Sequence, residues 1–450
     1  VIIRLQVDDT EGILYDGVFS NDFRLLLLLM IAKQQKLCGK QGEFAAYPTN
    51  AFIKAAGEKA VLDDLLTLDS QILNVEQSNT ALIYGNKFFL KLFRRLEEGL
   101  NPDLEIGSFI TEKTAYTHIP PVAGALEYRK VGAAPMVLGI LQAFVPNEGD
   151  AWKYSLGSIG RYFERVLSKQ HEIQEMPQAS PSLLELAFQE MPAVAQELIG
   201  GVYLERADLL GKRTAELHLA LASNADDPNF APEPFSMLYQ RSIYQTMQSA
   251  ARRNFQLLKK NLKTLPEDEI KKNAEEILHR EKDIMDRYGA ILKRKLSAMK
   301  IRIHGDYHLG QVLYTGDDFI IIDFEGEPAK ALSERRLKRS PFRDVAGMIR
   351  SFHYAVYTGL LKKAAIKQED IPLLKPWADR WYKYVAGAFL RSYLETAGNA
   401  PFMPQDRQES DILLRTFLLE KAIYELGYEL NNRPDWLMIP ISGIRQLLEG

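Results

Sequence analysis

The spacing of apolar positions changes along this chain. Before Trp152 short alternating runs dominate, and after it apolar residues recur at helical intervals. The first seventy residues read as a mixed α/β piece, with a strand at Val1–Val7 and an amphipathic helix from Asn21 to about Gln35. From Gln71 the pattern is β: Ile72–Val75, Thr80–Tyr84, a Gly85-Asn86 turn and Lys87–Phe93. Gly-Asn between two apolar runs is a hairpin signal. A helix is expected from Asp103 to about Glu112, followed by strands around Ala125–Val131 and Met136–Phe144. Lys271–Ala298 has few Gly and no Pro, and Ile270, Ile277, Ile284 and Ile291 recur every seven residues, predicting one long helix packed on a partner such as 235–262. Further helices are expected at Phe342–Leu361, Pro376–Thr396 and Leu413–Leu430, and Ser223–Asn229 reads as a loop.

This organisation is α+β: a cap over 1–70, a small β-rich lobe over 71–147 and a large helical lobe over 148–450. At 450 residues the chain has room for that many folded units. Apolar residues at 46% and charged residues at 26% exclude disorder and fibrous repeats. Subtracting 59 acidic from 56 basic residues leaves −3, so no sequence-independent grip on nucleic acid or an anionic membrane is expected. Partners must be recognised by sites. The longest apolar run, Leu25–Ala32, is too short to span a bilayer. One cysteine, Cys38, cannot make an internal disulfide or a cysteine-based zinc site, which fits a cytoplasmic protein. The chain opens Val-Ile-Ile-Arg-Leu without an initiator Met or the basic-then-apolar order of a signal peptide. That suits either a trimmed chain or a module of a longer polypeptide.

The chemistry concentrates late in the sequence. Two β-like runs, Lys300–Ile303 and Phe319–Ile322, flank Ile-His-Gly-Asp-Tyr-His-Leu-Gly-Gln, and the second ends in Asp323-Phe324-Glu325. Asp306 is followed five residues later by Gln311 and seventeen later by Asp323. Phosphoryl transfer needs one carboxylate to orient a hydroxyl and accept its proton, and oxygen ligands to hold Mg²⁺ against nucleotide phosphates. Each piece taken alone is an ordinary turn; together, behind a β-hairpin, they point to catalysis.

Asp306–Gln311 with Asp323-Phe324 resembles the catalytic loop and metal motif of the bilobal protein-kinase-like fold, in its aminoglycoside-phosphotransferase branch. More narrowly, His-Gly-Asp-Tyr-His-Leu-Gly-Gln, Asp-Phe-Glu-Gly-Glu-Pro, Ser-Pro-Phe-Arg-Asp-Val-Ala-Gly-Met and Glu-Lys-Ala-Ile-Tyr-Glu-Leu-Gly-Tyr resemble maltokinases, which make maltose 1-phosphate for α-glucan synthesis. Some members are fused to trehalose synthase, a possible association here as well.

The resemblance implies ATP and Mg²⁺ as cofactors and maltose as the sugar. His304 and Asp306 would be the catalytic pair. Lys91 would hold the nucleotide phosphates with Glu105 as its helix partner. Gln77-Ser78-Asn79-Thr80 replaces a glycine-rich phosphate loop, so Ser78, Asn79 and Thr80 would donate from their side chains. Gln142, Phe144 and Val145 fall where backbone groups meet adenine. Gln311 and Asp323 would be metal ligands, joined by Glu325, since Asp-Phe-Glu replaces the usual Asp-Phe-Gly. Asp344, after Arg343, would anchor the catalytic loop.

For the sugar, Lys421, Tyr424, Glu425 and Tyr428 share one helical face, with Arg343 nearby. That stripe is equally compatible with core packing. His218 reads as a packed helix histidine rather than a ligand. The alternatives are a kinase of an aminoglycoside or choline, whose cations call for an acidic or aromatic cage, and a non-catalytic pseudokinase. Lys421 and Arg433 favour a neutral substrate, and joint retention of Lys91, Asp306, Gln311 and Asp323 argues against a dead kinase.

Overall fold

The computed structural model describes residues 2–8, 10–57, 62–73, 79–169, 180, 182–265, 268–362 and 366–449. Ser78 and Val75 lie outside them. In chain order the strands are β1 Ile3–Val7, β2 Thr10–Leu14, β3 Lys36–Cys38, β4 Gly42–Pro48, β5 Ser70–Leu73, β6 Thr80–Tyr84, β7 Phe88–Leu92, β8 Val122–Lys130, β9 Met136–Ala143, β10 Glu233–Pro234, β11 Met299–Lys300, β12 Val312–Tyr314 and β13 Phe319–Ile321. The first helices are α1 Asn21–Ala32, α2 Asn50–Ala56, α3 Leu62–Leu66 and α4 Pro102–Lys113. They are followed by α5 Ala151–Ser168, α6 Leu183–Leu186, α7 Ala193–Ile199, α8 Gly201–Leu221, α9 Met237–Asn261, α10 Asp268–His279, α11 Glu281–Gly289 and α12 Leu332–Arg335. The last are α13 Phe342–Leu361, α14 Ile371–Ala397, α15 Arg407–Asn432 and α16 Met438–Glu449. Two compact units result: residues 1–147 with 321–336, and residues 148–320 with 337–450. Among the described residues no helix is long and apolar enough to cross a membrane.

The first unit is built on a seven-stranded sheet in the order β3-β4-β8-β9-β7-β6-β5. All its pairings are antiparallel. Along β7 the side chains alternate between faces. Phe88 and Leu90 join Leu28, Ile31, Phe52, Leu82 and Leu141 in the main core, on the side of α1 and α2. The next residue along, Lys91, stands opposite Ile140 in the register, and Ile140 belongs to the second core with Val122, Val137 and Leu104 of α4. Alternation thus aims Lys91 at α4. That helix lies close on β8, because a Cβ on Gly107 would meet Val122 Cγ2 at 2.6 Å.

Residues 1–70 are not a piece apart. Ala46 in β4 and Leu28 and Ile31 in α1 share the main core with the β6–β7 hairpin, and β4 pairs with β8 from Gly124 to Lys130. Separation at residue 70 fails because α1 would otherwise leave its apolar side exposed. Among the described residues the β1–β2 ribbon stands away, with Ile3, Leu5, Ile13 and Leu14 exposed.

The second unit is helical. Its buried centre runs through α13, α14 and α8, with Trp381, Phe389, Tyr393, Phe352 and Leu217 almost fully enclosed. The heptad isoleucines are all buried, against α9 among others. They do not lie on one long helix. The chain breaks at Arg280 (φ −92°, ψ 10°), so Ile270 and Ile277 sit on α10, Ile284 on α11 and Ile291 in a following 3₁₀ turn. The break allows α10 to pack on α16 as well as α9. The run expected at Lys300–Ile303 shrinks to β11 and one bridge, Ile301 with Arg339, before the chain turns irregular. That irregular stretch carries His304 and Asp306.

Candidate active site

In the first unit three carboxylates converge on one ammonium. Lys91 Nζ lies 2.9 Å from Asp103 Oδ2, 2.6 Å from Asp323 Oδ1 and 2.5 Å from Glu325 Oε1. The three acids each present an oxygen within 4.8 Å of the others. Ile321 donates its backbone N–H to the carbonyl of His118, which carries the end of β13 into this unit. Asp323 then adopts φ +67°, a left-handed conformation that a non-glycine residue holds at a cost. The Phe324 amide is secured by donating to Asp103 Oδ1 at 2.9 Å. Asn79, entering β6, donates to Glu325 Oε1 at 2.7 Å.

Burial opposes a charge on Lys91, but the fields of Asp103, Asp323 and Glu325 outweigh it and hold the amine well above the ordinary lysine value. Glu325 is displaced upward: burial dominates, Asp323 and Asp103 add to it, and the attraction of Lys91 does not compensate. Three carboxylates around one ammonium leave a formal −2. A hard divalent cation with oxygen ligands, such as Mg²⁺, fits that donor set and that charge.

The helix partner of Lys91 is therefore Asp103, which corrects the expectation of Glu105. Residues two apart on a helix point about 200° from one another, so only one of these acids can face the sheet. Glu105 instead receives the Arg336 guanidinium bidentately, at 2.7 and 2.9 Å. A signal for Asp103 was present: Asn101 caps α4 by accepting from the Asp103 amide, and Pro102 takes the first position. Asp103 thus sits in the first turn, at the level of Lys91.

Other expected nucleotide residues are placed with different partners. Thr80 is buried, and its hydroxyl accepts from Arg94 Nε at 3.1 Å. Gln142 is buried in β9, in register with Phe89 and Val122. In the segment expected to present backbone groups to adenine, the Phe144 amide donates to the Lys87 carbonyl at 2.9 Å, and the Val145 carbonyl accepts from Asn147 Nδ2.

In the second unit the loop at 304–311 is fastened from beneath. Asp344, in the first turn of α13, accepts from the His304 amide at 2.7 Å and the Gly305 amide at 3.0 Å. Its Oδ2 also lies 3.1 Å from His218 Nε2, whose Nδ1 meets Tyr393 Oη at 3.0 Å. Burial alone would raise the Asp344 carboxyl, but His218, His304 and the Gly305 amide hold it below the ordinary aspartate value. Nothing in the sequence pattern coupled His218 to Asp344. Tyr307 Oη lies 2.9 Å from Thr214 Oγ1, and Gly347 lets the loop press on α13, since a Cβ there would meet the Tyr307 carbonyl at 2.6 Å.

His304 is 1% exposed, and its Nδ1 accepts from the Asp306 amide at 3.4 Å, so it acts on the loop's shape rather than on a substrate. The Asp306 carboxylate is partly exposed and lies 3.4 Å from Lys421 Nζ. Gln311 closes the 3₁₀ turn that follows, its amide donating to the His308 carbonyl.

Helix α15 separates the expected sugar residues. Lys421, Tyr424 and Tyr428 form an open face: Tyr424 is 38% and Tyr428 46% exposed, and the Lys421 ammonium lies 5.0 Å from the Tyr424 ring centre. Glu425 does not belong to it, a correction to the four-residue stripe. Its carboxylate is buried under Arg350 of α13, at 2.6 and 2.9 Å, because it lies about 100° around the helix from Tyr424. Arg343, one heptad before Arg350, is held by Glu420 at 2.9 Å and lies over Phe417. Glu429 takes Arg433 and Tyr354 Oη.

The profile of the phosphotransferase enzyme family matches residues 163–326. The chain is 22% identical over 411 residues to a glucosamine kinase of Streptacidiphilus jiangxiensis, covering 90% of this chain and 77% of that protein. A glucosamine kinase of Mycolicibacterium smegmatis is 21% identical, with 84% and 79% covered. A solved glucosamine kinase in complex with glucosamine, ADP and inorganic phosphate superposes with a TM-score of 0.65 at 18% identity, over 95% of this chain and 83% of that one. That likeness shows a common fold. The chain therefore has a kinase-like fold, and the family match over residues 163–326 and the two relatives support a kinase.

Proposed function

We propose that the protein is an ATP-dependent kinase of a neutral sugar, maltose, phosphorylating the anomeric hydroxyl to give maltose 1-phosphate. The observation that carries this reading is the charge around Asp306. Glu420, Glu425 and Glu429 of α15 are each matched by an arginine, and Lys421 adds a cation 3.4 Å from the Asp306 carboxylate. Such a face, its charges paired, offers an ammonium no net attraction and suits sugar hydroxyls, with Tyr424 and Tyr428 for the apolar side of a second ring.

In this reading Asp306 orients the anomeric hydroxyl and accepts its proton as the oxygen takes the γ-phosphoryl group, while the β–γ bond breaks and ADP leaves. Lys91 holds the nucleotide phosphates. Asp323 and Glu325 would hold Mg²⁺, which when bound neutralises phosphate charge.

A second reading, phosphorylation of glucosamine, is supported by the names of the relatives and opposed by Lys421. The test is incubation with Mg-ATP and maltose, glucose or glucosamine in turn. Maltose should consume reducing ends in step with ADP release and give a ³¹P signal coupled to an anomeric proton. ADP release with reducing power retained, or a preference for glucosamine, overturns the maltose 1-phosphate reading.

A further inference from the structure

The acid that does not reach Lys91 has another task. Residues 326–336, which follow the Asp323–Glu325 turn, are joined to the approach and first turns of α4 at successive points. Arg335 pairs with Glu97, and Arg336 takes Glu105 through both nitrogens of its fork. The side chain of Leu332 lies against Gly99, where a Cβ would approach Leu332 Cδ2 to 3.0 Å. Farther in, Asp103 accepts from the Phe324 amide and from Lys91 on its two oxygens. Between these ties the packing is incomplete. A small cavity lined by Asn79, Glu97, Asn101, Leu332 and Arg335 adjoins Glu325. Where apolar contact does not fill the junction, the directional charge pairs set the register of the two segments.

We propose that Glu105 and Arg336 are a positioning pair, which holds α4 and the Asp323–Glu325 turn in the one register where Asp103, Asp323 and Glu325 converge on Lys91. In this role the pair acts through the carboxylate cluster rather than on nucleotide or sugar itself. Asp103 comes from the helix, and Asp323 and Glu325 come from the turn. Sliding one segment against the other therefore separates the carboxylates without removing any of them. This inference rests on the kinase reading only in naming what the cluster binds.

The experiment uses the full chain with Glu105→Gln, Arg336→Lys, which keeps the charge but loses the fork, and the exchanged pair Glu105→Arg with Arg336→Glu. Two quantities are measured: Mg-ADP affinity by calorimetry, and the rate at which an amine-directed reagent labels Lys91 in the nucleotide-free protein, read by peptide mass mapping. Each single variant should bind Mg-ADP roughly 10–100-fold more weakly, the range for residues that orient ligands from behind. Lys91 should label faster, the sugar affinity should stay as in the wild type, and the exchanged pair should recover part of both losses. A lowered Tm with unchanged Mg-ADP affinity and unchanged labelling overturns the proposal, as does a parallel fall in sugar affinity. If the wild type binds no Mg-ADP, the kinase reading fails on its own, and the labelling rates still judge the positioning role.

Discussion

Lys421 holds its ammonium 3.4 Å from the carboxylate of Asp306, so the partly exposed acid of the His-Gly-Asp loop carries its own counter-cation. Asp306 therefore offers a substrate cation little unbalanced charge, while it can still accept a proton from a hydroxyl. Replacing Lys421 by Ala should raise the KM for the neutral sugar and leave Mg-ATP affinity as it was. Lys421→Glu should move selectivity toward glucosamine. Steady-state kinetics with both sugars checks this, and an unchanged ratio of their kcat/KM values would remove Lys421 from the specificity argument.

Asp306→Asn preserves size and the loop's backbone contacts, which run through His304, Gly305 and Asp344 rather than through this carboxylate. Turnover should fall by roughly 10²–10⁴, the usual range for a positioned acid–base group, with Mg-ADP affinity near wild type. Full activity would refute the base assignment.

Asp103→Asn should harm nucleotide binding more than Glu105→Gln does. Asp103 touches Lys91 and the Phe324 amide directly, whereas Glu105 acts through Arg336. Calorimetry with Mg-ADP ranks the two, and the opposite order would return Glu105 to the role of lysine partner.

Legibility followed the range of the interactions. The β6–β7 hairpin, the His-Gly-Asp loop and the Asp323 turn could be located from sequence because local chemistry determines each: a Gly-Asn turn, and acids at fixed spacing after short strands. Choosing Asp103 over Glu105 depended on where α4 begins, and a shift of two residues reverses the helix face. Glu425 was misplaced because its partner, Arg350, lies on another helix, and an isolated helical stripe does not show which edge is buried. The coupling of His218 to Asp344 and the sharing of one core by α1 and β7 are tertiary facts of the same kind.

Arg350 is 1% exposed and meets Glu425 through two nitrogens, so deleting one partner strands a buried charge. Arg350→Met should destabilise the protein by about 3–5 kcal/mol, and the double variant Arg350→Met with Glu425→Leu should recover much of the loss. Denaturant titration measures both. A double variant no better than the single would show that Arg350 matters for packing rather than charge.

The hold of Asp344 on the 304–311 loop should also be visible as a pH dependence. The Asp344 carboxyl is held below its ordinary value of 3.8, burial being outweighed by His218, His304 and the Gly305 amide. A group whose folded value is depressed releases its proton more readily in the folded state. Its contribution to stability is therefore complete above the unfolded value and disappears as pH falls through the folded one. Asp344→Asn should lower the Tm at pH 6, because the His304 and Gly305 amides and His218 lose a charged acceptor. The gap between wild type and variant should stay constant down to about pH 4 and narrow below it, as the wild-type carboxyl protonates. Thermal unfolding from pH 6 to pH 2.5 measures the gap. A difference that does not change across that range would mean that Asp344 holds the loop by shape alone and that its charge contributes nothing.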